Sequence, residues 1–384
     1  MPTLKVSLCG GGRTGHLNAV LFKQKPGVQV ALLSQNARLL AAHADDAEQG
    51  LRVWLPDGSA LHARPDIVSD DPALTLHDVD VVIITVPAQL RWELLRRIAP
   101  QLPRHKPVFV GAIPGFCGFD WLAEKALADC PNAVIWGMKD VPHTAFDLQA
   151  GHSVRMGGAK SLLHMACHAR ESASQRQQVL ACLQRLYEAP VQLLENYLEI
   201  TLTPGNPIMH SSVIYGLIGP YGQYHQRALP GPLCWWSECP ELGAYFLERC
   251  DEENQRLCRA VEQALGIDLS SVKPLRQEII EAYGEQIRET HSMLSVLRSN
   301  QAYADIYAPL LADAQGGYWV DTQSRAFEED VAFGLATLVE MGRRLALPLP
   351  HIEELFAWTS AHMGGLRQSS CHYIPSDWPK RNKP

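Results

Sequence analysis

Leu4-Lys5-Val6-Ser7-Leu8-Cys9-Gly10-Gly11-Gly12-Arg13-Thr14-Gly15-His16 decides the fold. A short apolar run of strand character leads into G-x-G-x-x-G, made by Gly10, Gly12 and Gly15, and an amphipathic stretch over residues 14–25 follows. The three glycines do different things. Gly10 permits a tight turn, Gly12 lets the backbone approach a pyrophosphate, and Gly15 lets the helix pack closely on the strand. The unpaired N–H groups of the helix start, Arg13 and Thr14 among them, then face the phosphates. Strand, glycine turn and helix in this order point to a dinucleotide site.

Working outward, apolar runs at residues 28–33, 79–85, 108–110 and 134–136 alternate with helical stretches at 37–47, 89–99 and 120–128. This alternation predicts a parallel sheet covered by helices. Residues 51–63 carry a Pro-Asp-Gly turn between two short alternating runs and read as a hairpin. From 141 to 158 the periodicity lapses, which suits loops or short strands near a cleft, before a helix at 172–187 and a strand at 191–194. Past Asn196, long 3.6-period stretches at 244–265, 275–299 and 327–345 take over. The expectation is an α/β Rossmann-type doubly wound N-terminal domain over residues 1–195 and a mainly α-helical C-terminal domain over 196–384, with a loosely held tail after Arg367.

At the end of the second strand, an acid would bond the ribose hydroxyls of NAD and a cation would accept the extra phosphate of NADP. The chain has Ser34-Gln35-Asn36-Ala37-Arg38 there, without a carboxylate, which favours NADP(H) over NAD(H). Pro87, after the 79–85 strand, completes the expected cofactor contacts. His16 is read as a helix-surface residue.

The 384 residues carry a net charge of −7 with 46% hydrophobic and 20% charged residues, enough for two cores and without a block of like charges. Neither nucleic acid nor an anionic membrane is indicated as a partner. The chain starts directly on a strand, and no apolar run reaches the roughly 18 residues of a membrane span, so the cytoplasm is the expected location. Ten scattered cysteines form no C-x-x-C pair, and Cys234 with Cys239 or Cys250 with Cys258 lack metal-ligand spacing. His164 and His168, four apart, would share a helix face, but the glutamate of zinc-protease chemistry is missing; they are read as surface, and no metal is assigned.

Two later stretches carry chemistry. In Pro204-Gly205-Asn206-Pro207-Ile208-Met209-His210, Asn206 can cap a helix and Pro207 fit its first position, placing His210 in the opening turn as a candidate base. In Gly317-Tyr318-x-x-Asp321-x-x-x-Arg325-x-x-x-Glu329-Asp330-Val331-x-x-Gly334-Leu335, an arginine at a loop–helix junction offers a planar fork to a carboxylate, while Glu328, Glu329 and Asp330 also suit any helix start.

These three motifs in this order resemble the octopine/opine dehydrogenase family, and the resemblance spans nearly the whole chain. It implies reductive condensation of an α-keto acid with the amine of an amino acid, driven by NAD(P)H. It further implies that His210 is the acid/base residue, Asp330 its orienting partner and Arg325, with Asn206 nearby, the substrate anchor. Met138-Lys139-Asp140-Val141-Pro142-His143-Thr144-Ala145-Phe146 lacks the aromatic-Ala-Cys-Arg run expected of octopine-type enzymes, which leaves pyruvate and arginine open as substrates. Trp235-Trp236-Ser237-Glu238-Cys239-Pro240-Glu241 resembles the bacterial metallophore-type opine dehydrogenases. For the two tryptophans, helix packing and an amine pocket both remain open. A 2-hydroxy- or 3-hydroxy-acid dehydrogenase and a non-catalytic dinucleotide sensor are the alternatives, and monomer and homodimer are equally compatible with the sequence.

Overall fold

The computed structural model describes residues 2–41 and 50–380, and the chain divides into two compact units, Met1–Thr201 and Leu202–Pro384. The first unit runs β1 (Leu4–Cys9), α1 (Arg13–Lys23), β2 (Val28–Leu33), α2 (Ala37–Ala41), β3 (Leu51–Trp54), β4 (Ala60–Ala63), β5 (Ile67–Ser69), α3 (Pro72–Thr75), β6 (Val81–Ile84), α4 (Ala88–Ile98), β7 (Val108–Ala112), α5 (Phe119–Ala126), β8 (Ala133–Met138), β9 (His143–Gln149), β10 (Ser153–Ala159), β11 (Leu163–Cys167), α6 (Ala173–Leu186), β12 (Val191–Leu193) and α7 (Leu198–Thr201). Eight strands form one sheet in the order β12-β11-β8-β7-β6-β1-β2-β5. From β5 to β8 every pairing is parallel, and these six strands follow the Rossmann order 3-2-1-4-5-6. The order reverses between β1 and β6, and a ligand crevice belongs at the carboxyl ends of those two strands.

The 51–63 hairpin forms as expected, with Leu51 opposite Ala63. The 141–158 stretch forms β9 and most of β10, and these pair with the hairpin into a four-stranded sheet, β4-β3-β10-β9, that packs on α1. Helix α1 is therefore covered on two sides, and His16 is fully buried instead of lying on the surface. Burial pushes its imidazole down to about 4. His164 to His168 is likewise no surface helix: residues 163–167 are β11, Met165 to Cys167 are buried, and His168 is buried beyond them. The expected helix at 37–47 is observed as α2 up to Ala41, and its remainder lies outside the described residues. The chain stays with the first unit to Thr201, past Asn196, because the Tyr197 hydroxyl donates to the Gly115 carbonyl at 2.9 Å and α7 packs on β11.

The second unit contains α8 (Gly205–Ile218), α9 (Glu241–Leu265), α10 (Leu275–Tyr283), α11 (Met293–Ser299), the hairpin β13 (Leu310–Ala312) and β14 (Tyr318–Val320), α12 (Arg325–Glu328), a π-helical turn at Asp330–Leu335, α13 (Ala336–Arg344) and α14 (Pro350–His362). Helix α8 is apolar nearly all round and is its buried centre. It crosses α9 where a Cβ on Gly216 would lie 2.4 Å from the Gly243 nitrogen, so the backbones meet without side chains between them. Each fully buried Val, Ile or Leu along this crossing contributes roughly 1.5–3 kcal/mol against exposure.

Three expectations differ here. The 275–299 stretch is two helices, because Gly284 takes φ +50° and Ser292 with Ser295 forms a new capping box. The 327–345 stretch is interrupted by the π turn, in which the Gly334 N–H reaches the Glu329 carbonyl. The tail is held as far as Lys380: Ser370 is buried on the Thr337 hydroxyl at 2.7 Å, and Ile374 and Trp378 are buried too. Among the described residues no helix is long and apolar enough to cross a membrane.

Candidate active site

In the first unit the glycine turn sits at the reversal of strand order. Gly10 takes φ +131°, and a Cβ there would lie 2.5 Å from the Thr85 hydroxyl oxygen. Thr85 follows β6, and its hydroxyl bonds back to the carbonyls of Cys9 and Gly10 at 3.3 Å, closing the two strand ends on each other. A Cβ on Gly15 would come within 1.8 Å of the Gly10 carbonyl oxygen. Over Gly12, which precedes α1, a Cβ would meet nothing within 4 Å. Room above an open helix start is what a pyrophosphate needs, and the residues present fit a bound dinucleotide.

Gly11 is the glycine the motif leaves unassigned. A Cβ there would meet Leu40 Cδ1 at 2.5 Å and the Ser34 hydroxyl at 2.9 Å, so the turn at the end of β2 lies directly against it. Ser34 is half-buried and accepts from the Asn36 N–H at 3.2 Å, while Arg13 and Arg38 are exposed and Thr14 and Pro87 half-buried. Arg91 is a further residue of this region that sequence reasoning misses, because a lone arginine in an amphipathic helix carries no signal. It is buried and donates to the carbonyls of Val86, Pro114 and Phe116, tying the loops after β6 and β7 together.

In the second unit, His210 Nδ1 and Asp330 Oδ2 are 2.8 Å apart. Asp330 is 1% exposed and the His210 side chain 19%. The Asp330 Oδ1 has no hydrogen-bond partner among the described residues, so this buried carboxylate leans on the imidazole. The two residues are 120 positions apart and meet because the π turn packs on α8, where a Cβ on Gly334 would lie 2.3 Å from Pro207 Cγ. A π turn shifts the side chains after it by one place on the helix surface, and such turns recur at functional sites.

Helix α8 begins earlier than expected. Pro204 precedes it, the Ile208 N–H bonds to the Pro204 carbonyl, and exposed Asn206 is the second helical residue instead of the cap. Pro207, at the third position, loses nothing, because the first N–H groups of a helix have no partner inside it. His210 is consequently in the second turn, where the end charge of the helix has largely faded.

The imidazole has two further neighbours. Trp235 stacks on it at 4.6 Å between ring centroids and Trp236 at 5.5 Å, at 29° and 15° between planes. Both indoles are buried. The two indoles are also 5.5 Å from each other, so the three rings form one cluster around the candidate base. Arg325 is half-exposed at the start of α12 and ion-paired through Nε with buried Glu329. Among the described residues no cluster of three or more His, Cys, Asp or Glu side chains has metal-ligand geometry.

A glycine turn at the switch point of a Rossmann sheet, with a histidine–carboxylate pair on a helical unit, defines the class as a dinucleotide-dependent dehydrogenase. Residues 193–363 match the model for the α-helical domain of NAD/NADP octopine/nopaline dehydrogenases. The chain is 54% identical to an uncharacterised Sinorhizobium fredii protein, y4xO, over 98% of this chain and all of that one. It is 27% identical to octopine dehydrogenase of Mizuhopecten yessoensis over 94% and 90% of the two chains. It also superposes on a structure of octopine dehydrogenase with NADH and L-arginine at a TM-score of 0.82, with 24% identity over 94% and 90%. The chain belongs to the octopine/opine dehydrogenase family and is an NAD(P)-dependent oxidoreductase acting on CH–NH bonds by reductive condensation.

Proposed function

We propose that the enzyme joins an α-keto acid of the pyruvate or 2-oxoglutarate class to the amine of an amino acid or of an amino-acid-derived metallophore precursor, using NADPH in preference to NADH. The observation that carries this reading is the 2.8 Å contact between His210 and buried Asp330. With Nδ1–H donating to the carboxylate, Nε2 is left as the basic nitrogen, and the aspartate fixes that tautomer.

Nε2 takes the two amine protons in turn, the first as the neutral amine adds to the keto carbon and the second from the resulting carbinolamine, and passes each to the oxygen, which leaves as water to give an imine. Asp330 stabilises the imidazolium in between, and Trp235 and Trp236 pack against the ring. Arg325 binds the keto-acid carboxylate, its guanidinium oriented by the Glu329 pair, and Asn206 adds a polar contact to the substrate. When bound, NAD(P)H would supply hydride to the imine carbon, and the nitrogen takes one proton to give the secondary amine.

Gly10, Gly12, Arg13, Thr14, Gly15, Ser34, Arg38 and Pro87 would hold that cofactor. The preference for NADPH rests on the absence of a carboxylate between Ser34 and Arg38 and on the two exposed arginines, 13 and 38. Ten free cysteines support a reducing compartment, the cytoplasm.

The test is the loss of NADH or NADPH absorbance with pyruvate, oxaloacetate or 2-oxoglutarate, alone and with a panel of amino acids and extended amines. Oxidation only when keto acid and amine are both present supports the proposal. Oxidation with keto acid alone assigns a 2-hydroxy-acid dehydrogenase instead, and cofactor binding without turnover on any pair leaves a sensor.

A further inference from the structure

The second unit contains a cavity of about 590 Å³ with no part in the chemistry described above. Its lining includes Ser237, Arg288, Glu289, His291, Arg298 and Asn300. The volume is within the roughly 300–1,000 Å³ of small-molecule sites. Two guanidiniums stand against one carboxylate, so the lining favours negative charge. The Arg298 guanidinium is set in place, donating through Nε at 3.1 Å and Nη2 at 2.7 Å to the Cys239 carbonyl. Asn300, 3% exposed, uses Oδ1 to accept from the Ala302 N–H at 3.0 Å, while its Nδ2 has no hydrogen-bond partner among the described residues. A buried amide donor left unpaired is costly, and an acceptor entering the cavity would relieve it.

We propose that this cavity binds a small organic anion of the di- or tricarboxylate class. Planar guanidinium forks match carboxylates, and two of them in one lining suit a ligand with more than one carboxylate. Ser237 and the Cys239 carbonyl belong to the segment that follows Trp235 and Trp236, so an anion held by Arg298 steadies the backbone next to the indoles that stack on His210. The cavity is thus a second site, placed to respond to carboxylate concentration.

Isothermal titration of the full chain, saturated with NADPH, with citrate as the probe and sodium chloride at matched ionic strength as the control, tests this. Saturable binding of one citrate is expected, weakened by about tenfold or more in Arg288→Ala, the loss of one charge-assisted contact. Arg288 is exposed, so that variant keeps its fold. Glu289→Gln removes the opposing carboxylate and should tighten binding. No saturable heat, heat reproduced by chloride, or citrate binding unchanged in both variants overturns the assignment. Binding of inorganic phosphate with none of citrate overturns the carboxylate class.

Discussion

The glycine turn of the first unit and the His210–Asp330 pair of the second are built on opposite principles. Between Gly10 and Gly15 the geometry is made by backbone, and three of the four glycines there have a neighbouring atom within 2.5 Å of where a Cβ would stand. Side chains such as Thr85 and Leu40 close in on the turn only because the glycines leave them room. The histidine and aspartate are positioned only by their own side chains and by helix packing, across 120 residues, with two tryptophans from a third segment against the ring. The first kind of site tolerates any change except the addition of atoms, and the second fails on the removal of them. Binding and chemistry in this enzyme should therefore be separable by mutation.

The largest effect should follow from His210→Ala. Removing the proton carrier is expected to lower kcat by about 10³, within the usual range of 10²–10⁴ for acid–base groups, with the cofactor Kd unchanged by fluorescence titration. Asp330→Asn leaves the shape but offers an amide to Nδ1, and should cost nearly as much. Since the two act as one unit, the double variant should be little worse than His210→Ala alone. Losses that multiply in the double variant would mean the contact is structural.

Legibility in the sequence follows the same division. The parallel strands and the glycine turn can be read because their signals are local: a run of apolar residues, a motif and a helix within a few positions. His210 and Asp330 stand out as residue types in motifs, but their meeting is a product of helix packing, and so is the stacking of Trp235 and Trp236. The break at Gly284 and the π turn after Glu329 lie inside unbroken 3.6-period patterns, and periodicity does not register a change of hydrogen-bond partner. His16 reads as a surface residue because α1 is covered by the sheet β4-β3-β10-β9, two strands of which come more than a hundred residues further on.

That buried imidazole gives the next effect, confined to the first unit. His16 is lowered to about 4 in the fold from an ordinary 6.5 by burial. Between those values the unfolded chain binds more protons than the folded one, so stability falls as pH drops from about 6.5 to about 4. The contribution is fully present above 6.5, and its loss approaches roughly 3 kcal/mol below 4. His168, lowered to about 4 by burial as well, adds in the same direction. Urea unfolding at pH 7 and near pH 4.5 should therefore show a smaller pH dependence in His16→Gln than in the parent, with His168 common to both. Equal slopes would place His16 in contact with water.

Smaller, and sharper as a test of separability, is a pair of added methyl groups. In Gly334→Ala the new Cβ would stand 2.3 Å from Pro207 Cγ, and α8 must move away from the π turn. Overpacking of this kind costs about 1–3 kcal/mol. It should lower kcat and Tm together while the cofactor Kd stays put. Gly15→Ala places its Cβ 1.8 Å from the Gly10 carbonyl oxygen and should do the reverse at the level of binding, raising the cofactor Kd with little change in kcat at saturation. If both variants damage both quantities, the two sites are not independent.

The smallest effect concerns a side chain in the turn region beyond β2. Arg38 is exposed on α2, beyond Ser34, whose hydroxyl lies 2.9 Å from where a Gly11 Cβ would be. A 2′-phosphate at this end of the cofactor would meet the guanidinium in water, where screening limits a single charge pair to about 1 kcal/mol and one good hydrogen bond adds a similar amount. Arg38→Ala should thus raise KM for NADPH by about tenfold and leave KM for NADH within about twofold. Added salt should shrink the difference between the two cofactors in the parent and do little in the variant, since the contact is screened by ions. Equal loss for both cofactors would show that Arg38 supports the turn instead of reading the phosphate, and the choice of cofactor would then fall to Arg13 at the start of α1.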